Sequence, residues 1–118
     1  MFGDQDARLV TMASAPLGTT RQHLFFSPRQ RTVAVMRENL HVLDGNRSYV
    51  LWATVGRKAP VAIGSFRIDA KNNPPIFSFP TKLKTADSFA ISIEQGNGSS
   101  ERKGKIIFTG EVPKVGIN

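Results

Sequence analysis

Nowhere in this chain does an apolar stripe of period 3.6 persist for about ten residues, and this excludes a helical core. What repeats instead is a short run of alternating, β-branched or aromatic residues, closed by Gly, Pro, Asn or Asp. Residues 7–14 (ARLVTMAS) run into Pro16-Leu17-Gly18. Residues 22–27 (QHLFFS) stop at Pro28, and residues 31–37 (RTVAVMR) follow at hairpin spacing. Residues 38–43 (ENLHVL) show no clear period and read as extended chain leading into Asp44-Gly45. That dipeptide turns readily because glycine accepts a positive φ without a Cβ clash.

The strongest strand is 48–55 (SYVLWATV), apolar on both faces, with Trp52 on the side opposite Tyr49 and Leu51. Gly56-Arg57-Lys58 turns it. Pro60 then opens a strand over 60–68 (PVAIGSFRI), where a missing N–H is tolerated. Residues 69–75 are turn-rich. Ile76-Phe77-Ser78-Phe79 is a short strand stopped by Pro80, and residues 81–87 have room for one helical turn. Residues 88–94 (SFAISIE) alternate: Phe89, Ile91 and Ile93 form one face, and Ser88, Ala90, Ser92 and Glu94 the other. Residues 95–104 are a polar loop, and 105–109 (KIIFT) the last strand.

About eight short strands with such spacing predict an all-β, single-domain antiparallel β-sandwich, with a partly closed barrel as the alternative. The expected organisation is a disordered or vector-derived start at 1–6, a β-domain over 7–110 and a tail at 111–118. A length of 118 residues suits one core. No apolar run approaches the roughly 18 residues that span a bilayer, and the N-terminus lacks signal-peptide character. Sixteen Lys and Arg against nine Asp and Glu give a net charge of +7. These cations are spread along the chain, which argues against a nucleic-acid stripe and for a solvated basic surface with some attraction to anionic membranes or polymers.

No cysteine is present, so thiolate metal sites and cysteine nucleophiles are excluded. His23 and His41 stand eighteen residues apart without a ligand spacing, and no metal or cofactor is expected. The aspartates fall at ends and turns. Glu94 differs: it ends an alternating strand just before the longest polar loop, whose backbone N–H groups it is placed to bind. The glycine-rich 96–100 leads into another strand, not a helix, so it is a β-turn loop rather than a phosphate cradle. No nucleophile, base and orienter assemble, so no enzyme is expected. If the chain presents a ligand or partner surface, its candidates are Trp52, Glu94, Arg102 and Lys103.

Tyr49-x-Leu51-Trp52, then Pro60, then Gly64-x-Phe66-x-x-Asp69, resembles a segment of the C-terminal domain of anti-sigma-K-type (RskA-like) anti-sigma factors. Residues 89–94 (FAISIE), followed by Gly98-Ser99, Gly104 and Gly110, resemble that family's closing block. Gln95 stands where the family has proline, Asn97 where it has its first glycine, and Arg102-Lys103 where it has Pro-Thr. The resemblance spans roughly residues 5 to 110.

It implies a bacterial protein with a cytosolic sigma-binding domain, one transmembrane helix and an extracytoplasmic β-domain, of which this chain is the last part. The sigma factor would be met only through the cytosolic domain, since no H-x-x-x-C-x-x-C motif is present here. The further partners implied are the proteases of regulated proteolysis and an envelope ligand or protein. The competing reading is a β-sandwich module for a carbohydrate or cell-wall polymer, and nucleic acid is not expected.

Overall fold

The computed structural model describes residues 7–69, 74–96, 98 and 102–114. Expectations for 1–6, 70–73, 97, 99–101 and 115–118 fall outside them, most of the turn-rich 69–75 included. Eight strands form where turn chemistry divides the chain: β1 (Arg8–Ser14), β2 (Arg21–Ser27), β3 (Thr32–Val35), β4 (Arg47–Thr54), β5 (Val61–Phe66), β6 (Ile76–Ser78), β7 (Ser88–Gln95) and β8 (Lys105–Glu111). Residues 38–43 join no strand. Their place is fixed by Tyr49, whose hydroxyl donates to the His41 carbonyl at 2.8 Å and accepts the His41 N–H at 2.9 Å. The room for a helical turn after Pro80 holds a single hydrogen-bonded turn, Leu83 N–H to the Pro80 carbonyl at 3.0 Å.

All eight strands belong to one sheet in the order β5-β4-β7-β8-β1-β2-β3-β6, with every neighbouring pair antiparallel. Of the two expected architectures, the partly closed barrel is the one observed. A single sheet encloses a core only by curling, and its twist provides the curl. Two bulges add to it: the register shifts between Leu51 and Trp52 on β4 against β5, and between Ile91 and Ser92 on β7 against β8.

Among the described residues, the edges β5 and β6 meet without pairing. At this seam Gly64 faces the Phe77 ring so closely that a Cβ on residue 64 would lie 2.5 Å from it. The Phe66 and Phe77 rings meet tilted across the gap, with centroids 5.9 Å apart and planes at 51°.

The interior is filled by alternate residues: Val10 and Met12 from β1, Leu24 and Phe26 from β2, Tyr49 and Leu51 from β4, Phe89 and Ile91 from β7. Phe26 stacks on Phe79 at 5.1 Å and meets Phe89 edge-on at 5.3 Å. The core also holds a buried amide, Gln22. Its Nε2 donates to the carbonyls of His23 and Met36, and its Oε1 accepts the Asn39 N–H at 3.0 Å. A buried amide is tolerated because its groups are satisfied.

The antiparallel order puts the connections at two ends. One end, the site rim, carries 15–20, 36–46 and the β5–β6 and β7–β8 connections. The other, the terminal rim, carries 28–31, 55–60 and 79–87. The chain comes in to β1 and leaves β8 at this terminal rim.

Candidate functional site

Strands β4 and β7 pair over eight residues, with Ser48 opposite Glu94, Val50 opposite Ser92 and Trp52 opposite Ala90. Opposed residues share a face. These six therefore line the side of the sheet away from Tyr49, Leu51, Phe89 and Ile91. The alternation in 88–94 puts Ser88, Ala90, Ser92 and Glu94 on this side, and the structure buries two of them. Ser92 is fully buried, Glu94 is 4% exposed and Trp52 2% exposed. The cover includes the β7–β8 connection folding back. A Cβ on Gly98 would sit 2.8 Å from Val50 Cγ2, and one on Gly104 would sit 1.8 Å from the Ile93 carbonyl oxygen. Only glycine allows the backbone this close, and Gly98 also has φ +78°.

A chain of hydrogen bonds runs through the covered face. Trp52 Nε1–H donates to Ser92 Oγ at 2.9 Å, and Ser92 Oγ–H donates to Glu94 Oε2 at 2.5 Å. Glu94 Oε1 accepts the Gly104 N–H at 2.8 Å and the Lys103 N–H at 3.2 Å. The carboxylate is thus satisfied by one hydroxyl and two amides, and no ion pair to it is found among the described residues. Charge-assisted bonds of this kind are stronger than neutral ones, so Glu94 is the fastening of the returning loop. Ser48 adds a bond from Oγ to the Gly96 carbonyl.

The four candidate residues are brought near one another in unequal roles. Trp52 and Glu94 are interior. Lys103 is exposed and reaches the network only by its backbone. Arg102 is exposed, with its guanidinium on the Gly104 carbonyl. Arg102, Trp52, Pro60 and Ile106 border a shallow depression of about 350 Å³. Lys103, Lys105, Arg47 and Glu94 border a second of about 540 Å³. Arg47 is held by Asp44 at 2.6 Å, and that bond keeps the Asp44 carboxyl below its ordinary range. Sequence reasoning missed Ser92, which links Trp52 to Glu94. The signal was a hydroxyl two residues before a carboxylate on the same strand face.

The arrangement fastens backbone and presents no reacting group. The Ser92 hydroxyl already donates to a carboxylate and accepts from an indole, so both its roles are filled. His23 Nδ1 lies 2.9 Å from Glu38, while His41 is held through its backbone by Tyr49. Among the described residues no three His, Cys, Asp or Glu gather as a metal site, and no helix is long and apolar enough to cross a membrane.

Fold and site together define a small all-β module whose covered outer face is tied down by a buried carboxylate. The family model described as anti-sigma-K factor rskA, C-terminal, matches residues 3–106. The chain belongs to this family of anti-sigma factor C-terminal domains, and its role is regulatory. Neither a curated protein nor a solved structure matches the chain.

Proposed function

We propose that this domain is the extracytoplasmic part of a membrane-anchored anti-sigma factor and controls, by staying folded, whether the sigma factor is released. The observation that carries the reading is the family match over residues 3–106, which takes in both the Tyr49–Asp69 segment and the Glu94-to-Gly104 loop. The folded barrel shields the stalk that precedes it from proteolysis. A signal that displaces or unfolds it exposes that stalk, and regulated proteolysis then frees the sigma factor from the cytosolic domain. The domain is a non-catalytic gate between two conformational states.

The test uses the full-length gene product in cells carrying a reporter driven by its sigma factor. Phe26→Ala, which empties the centre of the ring cluster, costs about 3–5 kcal/mol and unfolds a marginal domain. The expected result is a raised reporter signal and conversion of the anchored protein to a shorter fragment. A flat reporter with the domain demonstrably unfolded overturns the gate. The polymer-binding alternative gains nothing from the geometry, because Trp52 is 2% exposed and offers no ring face for stacking on a sugar.

A further inference from the structure

Guanidinium groups close loops at both rims, and exposed lysines stand at both, Lys103 and Lys105 at the site rim. At the site rim the guanidinium groups close loops: Arg21 bonds the Gly18 carbonyl, Arg37 that of Asp69, Arg67 that of Gly45, Arg102 that of Gly104, and Arg47 pairs with Asp44. At the terminal rim two arginines do the same. Arg31 ties its loop to the Pro80 and Leu83 carbonyls at 2.9 and 3.0 Å, and Arg8 bonds the Pro113 carbonyl at 3.2 Å.

Among the described residues, Arg57, Lys58, Lys82, Lys84 and Lys114 also stand exposed at the terminal rim, beside Arg29. Among the described residues two carboxylates accompany them, Asp87 and Glu111. Asp87 is engaged, accepting the Gly56 N–H at 2.6 Å. The loops that carry these cations are bound into one band. Phe79 N–H donates to the Arg31 carbonyl at 2.8 Å, Asp87 N–H to the Thr54 carbonyl at 2.8 Å, and Val112 N–H to the Asp87 carbonyl at 2.8 Å. The cations therefore form a connected basic face, although they are scattered in sequence.

The chain comes in to β1 at this same face, through Arg8. On the reading proposed above, the membrane anchor precedes residue 7, so this is the face turned toward the bilayer. We propose that the terminal rim rests on an anionic bilayer surface, its exposed lysines and arginines set against lipid phosphates. This inference rests on the anchored reading. Among the described residues, large apolar side chains do not serve the contact: exposed Leu17, Val42 and Ile76 belong to the site rim, and Leu9 to the barrel wall. The docking is electrostatic and shallow, without insertion. Asp4 and Asp6, in the preceding six residues, subtract from the charge without reversing it.

The test is co-sedimentation of this chain with vesicles of phosphatidylglycerol and phosphatidylcholine, beside vesicles of phosphatidylcholine alone. Expected is partition to the anionic vesicles only, weakening steeply as salt rises above about 0.15 M. Lys82→Gln with Lys84→Gln should lower the partition about thirtyfold, and Lys103→Gln with Lys105→Gln, at the other rim, should leave it nearly unchanged. Trp52 emission verifies that each variant is folded. No partition at low salt, or equal loss from both pairs, overturns the proposal. Tighter binding to soluble polyphosphate than to vesicles also overturns it, in favour of a soluble polyanion. These outcomes leave the reporter experiment unaffected. A flat reporter with intact vesicle binding would instead remove the gate and keep the surface.

Discussion

Glu94 commits both carboxylate oxygens to donors, one to the Ser92 hydroxyl and one to two loop amides. Glu94→Gln keeps one acceptor but sets an NH2 group against a hydrogen-bond donor. The expected loss is about 1–3 kcal/mol in urea unfolding. Ser92→Ala should cost less when Glu94 is already Gln, since both act on one network. A Glu94→Gln variant as stable as the parent would remove the carboxylate as the loop's fastening. Tyr49 gives a prediction in pH. Burial pushes its phenol above the ordinary value, against weaker opposing effects of the His41 backbone and Arg47. In alkali the unfolded chain loses this proton first, so the folded state binds more protons and stability falls as pH rises above about 10. Below that pH this group contributes no slope. Tyr49→Phe should abolish the Tyr49 part of the alkaline loss, measurable as melting temperature against pH.

At the scale of elements, the weakest closure is the seam between β5 and β6. No sheet pairing joins these strands among the described residues, and Gly64 and Phe77 fill the gap between them. Gly64→Val should cost about 1–3 kcal/mol by overpacking. Much of that should return in a Phe77→Ala background, and simple additivity in the double-mutant cycle would show that the seam does not close there. The strands themselves were legible in sequence, because period 2 and turn residues are local signals: β4, β7 and β8 start within about one residue of where alternation places them. The curl was not legible. Sandwich and barrel share the same strands, and the choice lies in the bulges and in the pairing of β3 with β6, which are long-range. Glu94 was legible as a loop-binding carboxylate from its position at a strand end. The burial of Ser92 was not, because the cover over it comes from a connection whose path no local pattern specifies. The basic rim was equally hidden: Arg57 and Lys82 become neighbours in one band only once Asp87 joins their loops.

At the scale of the whole molecule, one curled sheet with one core should unfold as a unit. Trp52 is the sole tryptophan and lies in the covered face. Its emission should shift to the red in the same urea interval in which far-UV circular dichroism is lost. Two separated transitions would mean that the covered face opens before the barrel. The placement of β1 has a mechanical consequence. It pairs with β2 over six residues and with β8 over two, and its first residue lies at the terminal rim. A tether pulling outward from residue 7 runs along the axis of β1, across hydrogen bonds that lie perpendicular to it. Those bonds are then loaded in shear, all together, instead of being unzipped one by one. On the anchored reading proposed above, tension on residue 7 must strip an entire strand before it reaches the Glu94 loop at the opposite rim. The domain is therefore stiff toward a pull along β1, and the Glu94 loop lies at the end that such a pull reaches last.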